Sequence, residues 1–173
     1  MRPVEEDFRR LWAEHHRHVL AYALRRTGQR ADAEDIVSST FTVAWRRYGD
    51  KPSAEFELPW LYAIAARVLA NQRRSLRRVV ALRSRLRELP PPARDERSDL
   101  PEVVAALKQL RRDDQEILRL AAWEGLTGAE LAVALGCSEN AATIRLHRAR
   151  KRLAEQFGKE EHASGHSVVG EAE

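Results

Sequence analysis

The sequence predicts an all-α protein made of two small helical domains joined by a proline-rich linker, with a helix-turn-helix in the second domain. Apolar residues recur at helical spacing along most of the chain. Three consecutive prolines interrupt that spacing at residues 90–92, and a tight turn near residue 136 joins two further helical segments. We expect a first domain over residues 5–80, a linker over 81–100, a second domain over 101–157 and a disordered acidic tail over 158–173.

Composition limits the class of protein. The 173 residues are 43% hydrophobic and 32% charged, which is typical of a packed, soluble helical chain. The single cysteine, Cys137, excludes an internal disulfide, and the N-terminus lacks the apolar core of a signal peptide. The longest apolar run covers residues 60–66 and is too short to span a bilayer. We therefore expect a cytoplasmic protein.

Positive charge is concentrated in two stretches of the chain. The net charge is only +4, but residues 61–90 hold eight basic side chains against one acidic one, and residues 141–157 hold five against one. The sequence between them is acidic overall. This distribution predicts two separate contacts with a polyanion.

The segment 127–153 has the pattern of a helix-turn-helix. Thr127 and Glu130 have the spacing of a capping box, Gly136 suits the end of the first helix, and Ser138 suits the cap of the second. The second helix is basic, with no acidic residue between positions 140 and 154. These features favour DNA binding through the major groove. An αα-hairpin with a solvated basic face is the alternative.

Side chains of this second helix are divided between core and DNA. We expect Ala141, Ile144 and Leu146 to turn toward the core. The residues expected to contact DNA are Ser138, Asn140, Thr143, Arg145, Arg148, Arg150, Lys151 and Arg152. Two helices over residues 100–110 and 113–123, the latter capped by Asp113, should complete this domain.

The first domain is predicted to contain three helices, over residues 8–26, from residue 32, and from Pro59. The third combines aromatic residues with an amide and arginines, which suits stacking on bases and pairing with phosphates. Its predicted contacts are Trp60, Tyr62, Arg67, Asn71, Arg73, Arg74, Arg77 and Arg78. A basic helix lying on an anionic membrane is the alternative, but the apolar face is rich in alanine and lacks bulky anchors.

Other candidate sites are weaker. Apolar residues on the second helix exceed what one narrow buried stripe requires, which indicates that part of this face meets a partner helix. His15, His16 and His18 resemble metal ligands, but no cysteine or clustered carboxylate completes a site with them, so no metal site is expected. The chain also lacks a phosphate-binding glycine loop, so we expect neither an enzyme nor a cofactor.

Three segments, taken in order, resemble one family. Residues 31–46 (A-D-A-E-D-I-V-S-S-T-F-T-V-A-W-R), residues 59–74 (P-W-L-Y-A-I-A-A-R-V-L-A-N-Q-R-R) and the helix-turn-helix, ending in R-L-H-R-A-R, are similar to extracytoplasmic-function (ECF) sigma factors of bacterial RNA polymerase, in particular actinobacterial ones. The resemblance covers residues 8–156. It implies an alternative sigma factor that binds core RNA polymerase and directs promoter recognition and transcription initiation.

The resemblance also implies how the parts are used. The third helix would hold the minus-ten element, and the helix-turn-helix would read the minus-thirty-five element and bind the polymerase flap. Docking on the polymerase clamp helices would use Asp35, Ile36, Val37, Ser38, Ser39 and Phe41. Two pairs depart from the usual family pattern: Ser38-Ser39 replaces Gln-Glu, and Ala66-Arg67 replaces Arg-Asn. An anti-sigma factor is an expected partner, and no stable membrane association is expected.

A different class of function remains open at this point. A helix-turn-helix transcriptional regulator without a sigma role would also bind promoters, but it would not need a basic third helix. The basic residues 67–87 and the A-D-A-E-D-I-V segment argue against it.

Overall fold

The computed structural model describes the backbone of residues 3–85 and 101–164 and the side chains of residues 4–78 and 103–157. These parts form seven α-helices and two short 3₁₀ turns, which confirms the predicted all-α fold class. The chain divides into two compact units, Met1–Glu96 and Arg97–Glu173. None of the helices in the described ranges combines the length and hydropathy needed to cross a membrane.

The first unit contains three helices: α1 (Pro3–Thr27), α2 (Arg30–Arg46) and α3 (Glu57–Arg85), each packed against the other two. Gly28, at φ +72°, separates α1 from α2, and its N–H donates to the Leu24 carbonyl at 2.9 Å. The core is built from long apolar side chains of all three helices. Its most buried members include Leu11, Val19, Tyr22, Ile36, Leu61 and Ile64.

The connection from α2 to α3 contains two 3₁₀ turns, Tyr48–Asp50 and Ala54–Phe56. Pro59 is buried in the first turn of α3, where it needs no hydrogen-bond donor. At its other end α3 continues to Arg85, so the first residues of the predicted linker are helical. Residues 86–100, with the prolines, lie outside the described residues.

The second unit contains α4 (Pro101–Gln109), α5 (Arg112–Ala122), α6 (Gly128–Leu135) and α7 (Glu139–Ser164). Its core includes Ala106, Leu107, Ile117, Leu120, Leu126 and Leu131. The prediction that Asp113 caps α5 is wrong. Arg111 takes the extended cap conformation, and Asp113 lies in the acidic first turn, where it still suits the helix dipole.

Helices α6 and α7 form the predicted helix-turn-helix. The Thr127–Glu130 capping box is present, with the Thr127 N–H donating to Glu130 Oε2 at 3.1 Å. Gly136 ends α6 at φ +64°, and the Ser138 hydroxyl oxygen accepts the Ala141 N–H at 3.2 Å. Turn and caps are therefore confirmed. The prediction that the tail starts at residue 158 is wrong, because α7 continues to residue 164; residues 165–173 lie outside the described part.

Candidate nucleic-acid and protein interfaces

The later turns of α3 expose a row of polar and basic side chains. Arg67, Asn71, Arg74 and Arg78 follow one another at helical spacing and are all exposed; we call them the α3 stripe. Arg77 is exposed beside it. Within the stripe, the Arg74 guanidinium donates to the side-chain oxygen of Asn71. The α3 stripe is therefore a continuous polar and cationic surface.

Arg73 differs from the other predicted contacts on α3. It is half-buried, and its Nη2 donates to the Arg26 carbonyl at 3.3 Å. That carbonyl lies at the C-terminal end of α1, where backbone acceptors lack partners within the helix. This bond gives Arg73 a structural role in joining α3 to α1.

Trp60 and Tyr62 were expected to stack on bases, and the structure contradicts this. Their exposed fractions are only 8% and 2%. The Tyr62 ring stacks on the Tyr22 ring with centroids 4.9 Å apart, and the Arg26 guanidinium lies 3.5 Å from the Tyr22 centroid. Both aromatic residues of early α3 are consequently part of the core, with no ring face available to a base.

The outer face of α2 is polar. Asp35, Ser38 and Ser39, three of the six predicted docking residues, are exposed there. The apolar three are buried, with exposed fractions of 1% for Ile36, 7% for Val37 and 3% for Phe41. Their expected role in docking is wrong, because they fill the interface of α2 with α1 and α3 instead.

An aromatic cluster lies beside this polar face, and only part of it was foreseen. It consists of Phe8, Trp12, Phe41, Trp45 and Tyr48, with ring centroids of neighbouring members 4.5–6.3 Å apart. Trp12 is 41% exposed and Trp45 45% exposed. The surplus of apolar residues on α2 indicated that at least one of these side chains would stay exposed. Trp45 is that residue. Trp12 carried no comparable signal in the sequence.

A buried carboxylate anchors the start of α3. The Glu57 side chain is 1% exposed and is surrounded by Arg10 Nη2 at 3.0 Å, Lys51 Nζ at 2.5 Å and His15 Nε2 at 3.3 Å. Burial alone would raise the pKa of Glu57, but the hydrogen bonds from Arg10, Lys51 and His15 outweigh it and lower that pKa below its ordinary value. Glu57 is thus held as a carboxylate.

A second acid extends this arrangement, and we call the five side chains Glu57, Arg10, Lys51, Asp7 and Tyr48 the Glu57 cluster. The Tyr48 hydroxyl donates to Asp7, and Arg10 donates to the same carboxylate at 3.0 Å. These bonds lower the pKa of Asp7. Burial and the bond to Asp7 raise the pKa of Tyr48 to about 12. The cluster joins the first turns of α1 to the segment between α2 and α3.

The same place holds the one group of possible metal ligands found among the described residues. Donor atoms of Glu14, His15 and Glu57 lie within 4.8 Å of one another. Two positive charges, from Arg10 and Lys51, already contact Glu57 and would repel a cation placed there. The arrangement therefore disfavours a metal at this place. His16 stacks on Trp12 with centroids 5.6 Å apart, and His18 is exposed.

In the second unit, the most deeply buried side chains of α7 are small. Ala142 and Ala149 are completely buried, and Leu146 and Leu153 are half-buried on the same side. Ile144 was expected on this side but is 42% exposed. The alanines occupy the buried side, so the spacing that placed Ile144 in the core is wrong by part of a turn.

The opposite side of α7 carries the α7 outward face, which consists of Asn140, Ile144, His147 and Lys151 at helical spacing. Further exposed side chains flank it. On one side they are Arg145 and Arg148, and on the other Thr143 and Arg150. The Thr143 hydroxyl donates to the Glu139 carbonyl at 3.0 Å, so its hydrogen is already engaged within the helix.

Two predicted DNA contacts have structural partners instead. The Ser138 hydroxyl caps α7, as described above. Arg152 forms two hydrogen bonds with Asp114 of α5, at 2.8 and 2.6 Å, and these bonds raise its pKa. Asp114 is only 7% exposed, so its charge needs Arg152 as a partner. The prediction that Arg152 contacts DNA is therefore wrong. Cys137 is half-buried in the turn between α6 and α7.

Comparison with known proteins relates both units to one family. Residues 11–79 match the model described as sigma-70 region 2, and residues 100–153 match the model described as sigma-70, region 4. A similar curated protein is the RNA polymerase sigma factor NccH of Alcaligenes xylosoxydans xylosoxydans, which is 33% identical over 153 residues covering 80% of each chain. The ECF RNA polymerase sigma factor SigL of Mycobacterium tuberculosis is 31% identical over 157 residues, covering 84% of this chain and 85% of SigL.

Two solved structures share the arrangement of helices. One is the sigma factor RpoE in complex with the anti-sigma factor NepR from Bartonella quintana, with a TM-score of 0.65, 25% identity and coverage of 88% of this chain and 98% of that one. The other is CnrH in complex with the cytosolic domain of CnrY, with a TM-score of 0.59, 28% identity and coverage of 90% of both chains.

Proposed function

Because this chain belongs to the sigma-70 family and is an alternative sigma factor of the ECF group, we propose that its two units divide the work of transcription initiation between them. The first unit docks on the clamp helices of core RNA polymerase and holds the opened minus-ten element. The second unit binds the polymerase flap and reads the minus-thirty-five element. The observation that carries this proposal is that each unit exposes its own basic helical surface, the α3 stripe in one and the α7 outward face with its flanking arginines in the other.

The polar face of α2 is the proposed docking surface. Asp35, Ser38 and Ser39 are exposed on it, and a carboxylate there attracts a basic partner. Short serines leave Asp35 as the one charged side chain among the three. Asp35→Arg should strongly weaken association with core polymerase while helicity stays unchanged.

Glu34→Arg is the matched control for docking. Glu34 is also exposed, on a neighbouring side of α2, and its ion pair with Arg30 is exposed and contributes little. The two variants change charge equally. Equal core affinity for both would place docking elsewhere.

The α3 stripe is the proposed surface for the unpaired strand of the minus-ten element. Its guanidinium and amide groups suit phosphates and unpaired base edges. Asn71→Ala and Arg74→Ala should each impair promoter opening more than polymerase recruitment. Since the two side chains are hydrogen-bonded to each other, the double variant should lose less than the sum of the single losses.

Permanganate footprinting of open promoters measures this effect. Leu76→Ala is the control, because Leu76 is 49% exposed on the opposite side of α3. A normal open bubble in both Asn71→Ala and Arg74→Ala would remove the stripe from the mechanism.

The early turns of α7 are the proposed reader of the minus-thirty-five element. The beginning of a recognition helix reaches base edges, whereas its later turns meet phosphate. Arg145→Ala should flatten the preference at one base pair, and Arg150→Ala should lower transcription evenly across sequences. Run-off transcription of a library saturating this element distinguishes the two. A base preference changed only by Arg150→Ala would mean that the helix docks in another register.

An anti-sigma factor is the proposed regulator, since the similar structure of RpoE from Bartonella quintana contains that sigma factor in complex with the anti-sigma factor NepR. We also place the protein in the cytoplasm, where its polymerase is, and in the actinobacterial branch that its motifs resemble. Co-expression of genomic fragments identifies the regulator as a product that prevents core binding by the wild-type chain. Failure of every fragment to do so would contradict the proposal of an anti-sigma partner.

A further inference from the structure

An isoleucine occupies the middle of the α7 outward face. Ile144 is 42% exposed, one turn after Asn140 and one turn before His147, and all three point away from the buried alanines. The other long apolar side chains of α7 within residues 139–157 are all half-buried. Ile144 is therefore the one large apolar group that this described part of the helix presents to solvent.

A single exposed isoleucine is common on protein surfaces. Whether Ile144 indicates a binding surface therefore depends on the side chains around it. No acidic residue lies between positions 140 and 154, and the flanking side chains are basic or polar. Isoleucine also forms helices less readily than alanine or arginine, so an outward position without burial gives it no structural advantage. An apolar group flanked by basic and polar side chains matches a surface that is anionic at its edges and apolar at its centre.

The major groove of DNA offers this combination at one kind of base pair. Phosphates line its edges, and the C5-methyl of thymine is the apolar group that projects into it. Thr143, the preceding residue, has its hydroxyl hydrogen engaged with the Glu139 carbonyl at 3.0 Å, which leaves its methyl group as a second apolar contribution beside Ile144.

We propose that Ile144 determines specificity by contacting the C5-methyl of a thymine in the minus-thirty-five element. The contact favours thymine over cytosine at that position, since cytosine has no methyl there. The inference rests on the proposed role of α7 as the reader of this element, and it assigns to Ile144 a part of the reading that polar and charged side chains do not perform.

Replacing one thymine by uracil removes the methyl and leaves the base-pairing edge unchanged. The experiment uses holoenzyme assembled from core polymerase and the full chain, on a synthetic promoter carrying the minus-thirty-five sequence that a saturation library selects. Each thymine of the element is replaced singly by uracil, and run-off transcription is measured at limiting holoenzyme. With the wild-type chain, uracil at one position should weaken promoter binding about fourfold, the loss expected for one methyl-sized apolar contact.

The variants test whether Ile144 is the partner of that methyl. Ile144→Ala should lower binding to the thymine promoter about fourfold or more and remove the difference between thymine and uracil. Ile144→Val should restore much of that difference. Lys151→Ala, which changes a cation on the same face, should weaken both promoters equally and preserve their ratio.

The results separate this inference from the function it depends on. If randomising the whole minus-thirty-five element leaves transcription unchanged, α7 does not read it and both proposals fail. If the element matters but no thymine shows a uracil effect, or if Ile144→Ala keeps the effect unchanged, then only the role of Ile144 is overturned.

Discussion

Helices α3 and α7 are both long and basic, but they differ in which of their turns are buried and which are exposed. The first turns of α3 are buried through large side chains such as Trp60, Leu61 and Tyr62, and only its later turns expose the α3 stripe. Helix α7 is exposed from its first turn, and the side chains that its described part buries completely are Ala142 and Ala149. A helix that supplies bulk to a core cannot present the same turns to a ligand.

The two units also differ in how they pair a buried carboxylate with basic side chains. The first unit buries Glu57 among several basic partners, whereas the second pairs the nearly buried Asp114 with Arg152, whose side chain is 45% exposed. A carboxylate that water cannot reach depends wholly on its partners, and a half-exposed pair is screened. Removing the charge of Glu57 should therefore lower the stability of the protein more than removing the charge of Asp114.

The largest effect is expected at Tyr62, because the early turns of α3 belong to the core of the first unit. Tyr62→Ala removes a ring stacked on Tyr22 and should destabilise the first unit by about 3–5 kcal/mol. Leu76→Ala, on the exposed part of the same helix, should change stability by at most about 0.5 kcal/mol. Hydrogen exchange of α1 and α3 in the full chain measures both. Unchanged protection in Tyr62→Ala would return this ring to the set of possible base contacts.

Glu57→Gln tests the buried carboxylate. Loss of its charge leaves Arg10 and Lys51 facing a neutral amide and should cost about 3 kcal/mol at neutral pH. Asp50→Asn makes the same change in an exposed ion pair with Arg47 and should cost less than about 0.5 kcal/mol. Equal losses would mean that burial of Glu57 is not what makes its charge important.

The pH dependence of the Glu57 variant follows from the sign of the shift. The folded pKa of Glu57 lies below its ordinary 4.5, so its stabilising effect is complete above that value and is lost as the pH falls through the lower, folded pKa. The stability difference between wild type and Glu57→Gln should shrink in the same acidic range. A difference that grows on acidification would contradict the lowered pKa.

Ala149→Leu tests the claim that α7 depends on small inner residues. A larger side chain at this completely buried position forces α7 away from its neighbours and should cost about 1–3 kcal/mol. Ala154→Leu adds the same atoms at an exposed position of the same helix and should be nearly neutral. Hydrogen exchange of α5–α7 reports the result, and a neutral Ala149→Leu would show that the inner face has room.

The smallest effect is expected at the ion pair of the second unit. Asp114→Asn should cost about 1 kcal/mol, because the Arg152 side chain is 45% exposed, and the cost should fall at high salt. Asp113→Asn, next to it in sequence but exposed, serves as the control and should cost a few tenths of that at most. A loss as large as that of Glu57→Gln would remove the contrast between the two units.

Local signals in the sequence were enough to predict helix α6 with both its ends, and the start of α7. A capping box, a glycine at positive φ and a serine cap act within a few residues, so they can be identified without knowing the fold. The candidate basic surfaces were also predicted. A run of arginines without acidic residues exposes positive charge whichever side of the helix is buried.

Which side of each helix is buried could not be predicted as well. On α7 alanine is compatible with either side, so Ile144 was assigned to the core in place of Ala142. On α2 and α3 the apolar residues outnumber one stripe, and only packing against the other helices separates Trp45 from Phe41. The Glu57 cluster joins positions 10 and 57, which are far apart in sequence. No local sequence pattern predicts such a contact.

The alanines inside α7 have a consequence for how the protein can diverge. The fold of the second unit depends on the inner side of this helix, while its outward positions contribute little to stability. Under the proposed role of α7 as the reader of the minus-thirty-five element, single substitutions at positions 140, 144 and 145 change promoter preference without first requiring a compensating change in the core. On that proposal, a lineage carrying this helix acquires new target genes one base pair at a time, and each intermediate remains a folded protein.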